Sequence, residues 1–282
     1  MQAKWKPVMG LTLYHFNNSV CSQKVRLALA EKGLDWDEIF VNLVKLEQYE
    51  ADYVRLNPKA VVPTLVHDGH AVIESTLICE YLDDVFGDPA LKPIHPSECA
   101  AMRVWTKAVD EGMHEGIVAL SFSAMFRERM KRMTDSQRAR QYRNIGDPER
   151  RDRDRAVFDH GVESSYVFNA IATYEMTFFK LEKVLVDKRS WIMGDQYTLA
   201  EINLAPYAAR LEYMGLLDIW IENRPMVSAW WDRIKARPSY QRGLSDRLTT
   251  ADIEPMKRFG GDISQRVAEL RQTYLEEFNR TH

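Results

Sequence analysis

Cysteine is scarce in this chain. Three occur in 282 residues, Cys21, Cys79 and Cys99, an odd number with no CxxC pair. That excludes a disulfide framework and suits a reducing cytosol, so a cytoplasmic location is expected. Long apolar runs are missing too. No stretch of about 18 apolar residues is available to span a membrane, and Met1-Gln-Ala-Lys-Trp-Lys-Pro7 has no apolar core of a signal peptide. Net charge is only -3, so no general affinity for nucleic acid or anionic membrane is expected. Neither GxGxxG nor GxxxxGKS/T occurs, which argues against a dinucleotide or nucleoside triphosphate, and no GxSxG points to a serine hydrolase. His67 and His70 have no third ligand suggested nearby. They read as residues flanking a turn, and no metal is expected.

A length of 282 residues favours two domains over one. After a loose extension over 1–10, residues 11–33 form a strand–turn–helix. Leu11, Leu13 and His15 alternate with Thr12, Tyr14 and Phe16. Asn17-Asn18-Ser19 are turn and N-cap residues, Val25, Ala28 and Leu29 recur at helical spacing, and Gly33 stops the helix. Ser19 and Cys21 therefore sit at a helix N-terminus, where free N–H groups and the helix dipole favour negative charge, a thiolate included. Ser at such a place is most often only a cap, and Cys only a small buried residue.

Residues 37–43 predict a second strand, parallel to the first because a helix intervenes. Residues 46–56 predict a helix ended by Asn57-Pro58. Thr64–His67 and His70–Ile73 flank Asp68-Gly69, a hairpin signal, and Ser75 to Gly87 predicts another helix. The order β-α-β-α-β-β-α over 11–87 is that of a thioredoxin-like domain with a mixed four-stranded sheet. Proline-rich residues 87–97 read as a linker. Beyond it, 98–248 reads as all-helical, with predicted helices at 97–132, 163–187, 200–214 and 225–237. The span 127–155 mixes Arg with Asp and Glu and offers few aromatics, which favours a solvated, partly mobile excursion over a nucleic-acid patch. Thr198-x-x-Glu201, with Tyr197 and Ile202 placed as a hydrophobic staple, is a capping box. Residues 249–282 read as a helical C-terminal extension carrying Ile263, Val267, Leu270, Tyr274 and Phe278.

Asn57-Pro-Lys-Ala-Val-Val-Pro-Thr-Leu65 resembles the segment through the cis-proline of glutathione transferases. Glu74-Ser75 resembles their γ-glutamyl site, and Tyr197-Thr-Leu-Ala-Glu201 their second-domain cap. Together the matches cover 11 to about 243. Ser19-x-Cys21-Ser-x-x-x-Arg-x-Ala is similar to the zeta class, which includes maleylacetoacetate isomerases. Asp52-Tyr-Val-Arg-Leu-Asn with Lys59-Ala-Val-Val-Pro-Thr-Leu-Val66 is similar to bacterial tetrachlorohydroquinone dehalogenases. Glu74 to Phe86 with Met102 to Glu111 resembles the glutathione-dependent β-aryl-etherases.

The resemblance implies a dimeric glutathione transferase whose co-substrate is glutathione and whose acceptor is a small hydrophobic electrophile. It makes Ser19 the hydroxyl donor to the glutathione sulfur and Cys21 the match to the thiol with which dehalogenases resolve a glutathionyl intermediate. Val62, with Pro63 cis, is expected to offer its backbone to the cysteinyl part. Ser75 takes the γ-glutamyl carboxylate, Glu74 the α-ammonium, and Gln48 and Lys59 the glycyl end, although Lys59 also reads as an ordinary solvated lysine. His114, Phe122, Met125, Phe126 and Tyr166 are candidates for the acceptor site. Ether cleavage or dehalogenation of an aromatic substrate is favoured. The alternatives are a cis–trans isomerase of the maleylacetoacetate type and a glutathione-binding protein with little catalysis. Ser22-Gln-Lys-Val-Arg-Leu with Ala30-Glu-Lys32 is also similar to the ganglioside-induced differentiation-associated proteins.

Overall fold

A computed structural model describes residues 10–187 and 189–281, without the side chains of 279–281. The extension expected over 1–10 lies, apart from Gly10, outside the described residues. The sheet holds β1 (Leu11–His15), β2 (Asp37–Phe40), β3 (Thr64–His67) and β4 (His70–Ile73) in the order β2-β1-β3-β4. β1 runs parallel to β2 and antiparallel to β3, and β3 pairs antiparallel with β4. All five β1 residues are buried, because the strand is interior to the sheet. α1 (Val20–Glu31) ends with Gly33 at φ +64 and Leu34 N–H donating to the Leu29 carbonyl, a left-handed C-terminal cap. The hairpin turn holds Asp68 and Gly69 both at positive φ, as a type I′ turn requires.

Between β2 and β3 two expectations are corrected. The second strand stops at Phe40 rather than 43, because the Asn42 side chain accepts from Val44 and Lys45 N–H and turns the chain. The helix expected over 46–56 is a 3-10 turn at Glu47–Tyr49 followed by α2 (Ala51–Leu56), with Leu46 at φ +63 and Glu50 extended. α3 (Ser75–Phe86) follows β4.

The remaining elements are helical: α4 (Pro96–Ala108), α5 (His114–Ser121), α6 (Arg127–Lys131), α7 (Asp135–Asn144), α8 (Pro148–His160), α9 (Ser165–Leu185), α10 (Leu199–Tyr213), α11 (Asp218–Ile221), α12 (Pro225–Lys235), α13 (Pro238–Gly243) and α14 (Thr250–Thr281). Wider π-type turns at Val109–Met113 and Phe122–Phe126 interrupt the run from α4 to α6. The charged span 127–155 folds into helices. Thr134 and Asp147 cap α7 and α8, and Met130, Tyr142 and Val157 are buried among the charges.

The chain forms two compact units. The first holds residues up to 106 with 191–206 and 232–249. The second holds 107–190, 207–231 and 250 onward. In the first, Tyr14, Val41, Tyr53, Val62 and Val66 form a core cluster, and α13 packs on α1 so closely that a Cβ at Gly243 would meet Arg26 and Leu27 backbone at 3.0 Å. Glu201 is fully buried there. Its carboxylate accepts from the N–H groups of Ile192 and Thr198 and from the Thr198 hydroxyl, so the capping box also fastens the preceding loop. In the second, α14 lies along α9. Arg271 and Arg224 both pair with buried Glu175, and Arg266 pairs with Glu163.

Candidate active site

Strand register gathers the predicted residues at one edge of the sheet. His15 pairs with Phe40, so the segments after β1 and β2 leave from the same end. Tyr14 pairs with Thr64 and Thr64 with Ile73, so the segment before β3 and the start of α3 lie at that end too. Ser19, Cys21, Gln48, Lys59, Val62, Pro63, Glu74 and Ser75 all belong to these four segments.

Ser19 is the N-cap of α1, with extended backbone. Its Oγ accepts from Ser22 N–H at 3.3 Å. Capping uses an acceptor lone pair only, and the hydroxyl still has a proton to donate, for which no acceptor is present among the described residues. Cys21 is a part-exposed thiol in the first turn of the same helix. Negative charge on either side of this helix start is favoured by its unpaired N–H groups.

The turn before Ser19 is braced by Arg26, which is fully buried. Its guanidinium donates to the Asn17 carbonyl at 3.0 Å and to the Gly243 carbonyl at 2.8 Å, and it meets His15 Nδ1 at 3.0 Å. Burial brings the Arg26 pKa down to about 10, still a cation at neutral pH. Burial, and then the adjacent Arg26 charge, push His15 down to about 4. His15 is thus neutral with Nδ1 as acceptor and the proton assigned to Nε2. His15, buried at 2% exposure, is a positioning group that sequence reasoning took for a strand residue.

The loop before β3 has its own supports. Tyr53 Oη donates to the Val61 carbonyl at 2.6 Å, and Asn57 Nδ2 donates to the same carbonyl at 3.0 Å. Burial pushes the Tyr53 phenol up to about 12, so it stays protonated. Val62-Pro63 is cis, as is Asp88-Pro89, which the sequence did not single out. Val62 makes no backbone hydrogen bond among the described residues, although its side chain is buried. Gln48 is buried with Oε1 lacking a partner. Lys59 Nζ meets Glu74 Oε1 at 2.7 Å on the surface, so it is an ion-paired lysine. Glu74 sits at φ +70 and makes no side-chain cap at the start of α3, and the Ser75 hydroxyl has no partner among the described residues. A buried amide oxygen, an unpaired peptide and an uncapped helix start suit a small peptide-like anion.

The five acceptor-site candidates lie in the second unit. Tyr166 lines a cavity of about 200 Å³ with Glu115, Asn169 and Thr173. His114 Nδ1 meets Tyr207 Oη at 3.2 Å. Phe122 is buried, and Phe126 is 38% exposed with its ring centroid 6.2 Å from that of Phe122. Met125 is part-buried beside them in the same π-type turn.

Two family models match this chain: the glutathione S-transferase N-terminal domain over 18–85 and the C-terminal domain over 148–233. Protein LigF of Sphingobium sp. strain SYK-6 is 33% identical over 237 residues, 82% of this chain and 91% of LigF. The crystal structure of that β-etherase matches with a TM-score of 0.75 at 32% identity, covering 83% of this chain and 98% of its own. Tetrachloro-p-hydroquinone reductive dehalogenase of Sphingobium chlorophenolicum is 32% identical over 240 residues, 82% of this chain and 94% of the relative. Glutathione S-transferase Z1 of Arabidopsis thaliana is 46% identical over 245 residues, 86% and 94% of the two chains.

Proposed function

The chain belongs to the glutathione S-transferase family, and on that footing we propose that it ionises glutathione beside Ser19 and directs the thiolate at an electrophilic aromatic acceptor. Ser19 is the observation that carries this reading: it caps α1 as an acceptor while its hydroxyl proton stays uncommitted. An ordinary thiol of pKa about 8.5 is only a few per cent ionised at pH 7. Lowering it by about two units requires roughly 2.7 kcal/mol of selective stabilisation of the anion, within reach of a hydroxyl donor and a helix N-terminus together.

In this reading Val62 hydrogen-bonds the cysteinyl peptide. Ser75 and the start of α3 hold the γ-glutamyl carboxylate, Glu74 exchanges its Lys59 partner for the α-ammonium, and Gln48 with the released Lys59 meets the glycyl end. The thiolate forms a carbon–sulfur bond as the bond to an aryloxide or halide breaks, and the leaving group departs with the electron pair. Ether cleavage and dehalogenation are favoured by the likeness to LigF and to the dehalogenase. Cys21 serves the second case: its thiolate attacks the sulfur of the aryl–glutathionyl intermediate, and a mixed disulfide forms as the carbon–sulfur bond breaks. The aryl carbon leaves with the electron pair and takes a proton, and a second glutathione thiolate displaces Cys21 from the mixed disulfide as glutathione disulfide. Likeness to the maleylacetoacetate isomerase of Pseudomonas aeruginosa, 28% identical over 236 residues, supports a second reading, a cis–trans isomerase in which the thiolate adds and leaves again. We further propose a homodimer, to which exposed Leu77 and Val104 give apolar surface, in a reducing cytosol that keeps the three thiols free of disulfides.

A panel of a chlorodinitrobenzene-type acceptor, a β-aryl ether, a chlorinated hydroquinone and maleylacetone tests this, run with glutathione on wild type, Ser19→Ala and Cys21→Ala. Loss of thioether formation in Ser19→Ala with retention in Cys21→Ala supports conjugation or ether cleavage. Accumulation of a glutathionyl product in Cys21→Ala selects dehalogenation. Turnover of maleylacetone alone selects the isomerase, and transfer to no acceptor defeats the proposal.

A further inference from the structure

Lys24 is a buried charge that the site described above leaves unused. It stands on α1, five residues after Ser19, and is fully buried. Its Nζ donates to the Thr76 hydroxyl at 2.7 Å. Thr76 in turn donates to Asn203 Oδ1 at 3.1 Å, and Asn203 Nδ2 donates to the Leu199 carbonyl at 2.8 Å. All four residues belong to the first unit, and all are buried. A lysine normally keeps its head in water on a flexible stem. Here directional hydrogen bonds hold the ammonium in one place, inside the protein, where a charge is costly to keep.

Thr76 is the second residue of α3, directly after Ser75, so the Lys24 ammonium lies at the buried side of the first turn of that helix. The helix start has no side-chain cap, and its free N–H groups favour an anion. Glu74 precedes it and brings a negative charge of its own, answered at the surface by Lys59. A γ-glutamyl group carries an ammonium and a carboxylate on one carbon. Glu74 suits the ammonium but repels the carboxylate, and a cation buried behind the helix start offsets that repulsion. The charges then alternate in sign from Glu74 through the two ligand groups to Lys24. The interior position strengthens the effect, because a buried charge is less screened than one in water.

We propose that Lys24 is the buried counter-charge of the γ-glutamyl carboxylate, a specificity-determining residue that selects, by its field, thiol peptides bearing a carboxylate at that end. It meets neither the sulfur nor the acceptor. This rests on the transferase reading above, in which Ser75 and the start of α3 hold that carboxylate.

The test uses calorimetry with two thioethers, neither of which has a thiol to ionise. One is S-methylglutathione. The other is the same peptide with 4-aminobutanoate in place of the γ-glutamyl residue, so that only the carboxylate is missing. Wild type is compared with Lys24→Gln and Lys24→Met, which remove the charge, and with Thr76→Val, which keeps the ammonium and removes its bond to α3. Wild type is expected to bind S-methylglutathione about thirtyfold more tightly than the peptide without the carboxylate, as a charge-assisted contact gives. The neutral variants should shrink that ratio about tenfold, through S-methylglutathione alone, a coupling usual for neighbouring groups. Thr76→Val should keep the ratio. Equal losses for both ligands in a folded neutral variant make Lys24 a structural support and overturn the proposal, while the transferase reading stands. Loss of the ratio in Thr76→Val assigns the effect to the bond rather than the charge and overturns it as well. Equal affinity of wild type for the two ligands overturns it without recourse to any variant. Binding of neither ligand to wild type defeats the transferase reading and the proposal with it.

Discussion

Protonation of His15 is predicted to weaken the fold on the acid side of neutrality. In the native state His15 is held down to about 4 by burial and by Arg26, whereas an unfolded chain returns it to about 6.5. Between these values the unfolded state binds a proton that the native state refuses, so stability rises with pH and is lost as pH falls from about 6.5 toward 4. The full difference is about 3 kcal/mol, and about 2 kcal/mol of it is lost between pH 7 and pH 5. Urea unfolding of wild type and His15→Asn, at half-unit steps from pH 7.5 to 5, reads this directly. The amide oxygen of Asn can still accept from Arg26 and cannot titrate, and the ionisable groups other than Glu38, whose carboxylate lies 4.0 Å from His15 Nε2, cancel in the comparison. The variant's stability should fall less with pH, by about 2 kcal/mol at pH 5. Parallel curves for the two proteins would refute the buried neutral histidine and with it the brace beneath Ser19.

Two neighbouring glycines of α14 should respond oppositely to alanine. A Cβ at Gly260 would lie 2.0 Å from the Met214 carbonyl oxygen, whereas one at Gly261 meets nothing within 4 Å. Gly260→Ala should therefore lower the melting temperature by several degrees, and Gly261→Ala should raise it by about 2 °C, from about 1 kcal/mol of helix propensity; equal effects in a thermal scan would contradict this packing of α14. Asn57→Ala removes a donor from the Val61 carbonyl and the Thr64 hydroxyl. It should cost about 1–2 kcal/mol in urea unfolding and weaken glutathione several-fold in calorimetry, while unchanged affinity would detach the loop from the site.

What was legible in the sequence is what local chemistry specifies. Asp68-Gly69 accepts two positive φ values, Gly33 closes α1, and Thr198 with Glu201 opens α10, so each announces itself within a few residues. The edge that collects Ser19, Val62 and Ser75 follows from the order of those elements. Partners far apart in the chain stayed hidden. Arg26 looks like one more helical arginine until Gly243, 217 residues later, accepts its Nε–H. Asn57 reads as a helix stop, and only the folded loop shows what its amide holds. The span 127–155 misled because Met130, Tyr142 and Val157 are too sparse among its charges to register as an apolar face. That Lys24 reaches Thr76 is a property of the packed chain alone.

The claim that Ser19 and the start of α1 stabilise a thiolate is tested most directly by titrating the thiol of bound glutathione through its ultraviolet absorbance. The measurement is made on wild type, Ser19→Ala and Cys21→Ser, with Cys21→Ser correcting for the protein's own thiol. The account predicts a bound thiol about two units below its ordinary value of about 8.5 in wild type and Cys21→Ser, and return of most of that shift in Ser19→Ala. A bound thiol that titrates near its ordinary value in wild type, or one that Ser19→Ala leaves depressed, would contradict it.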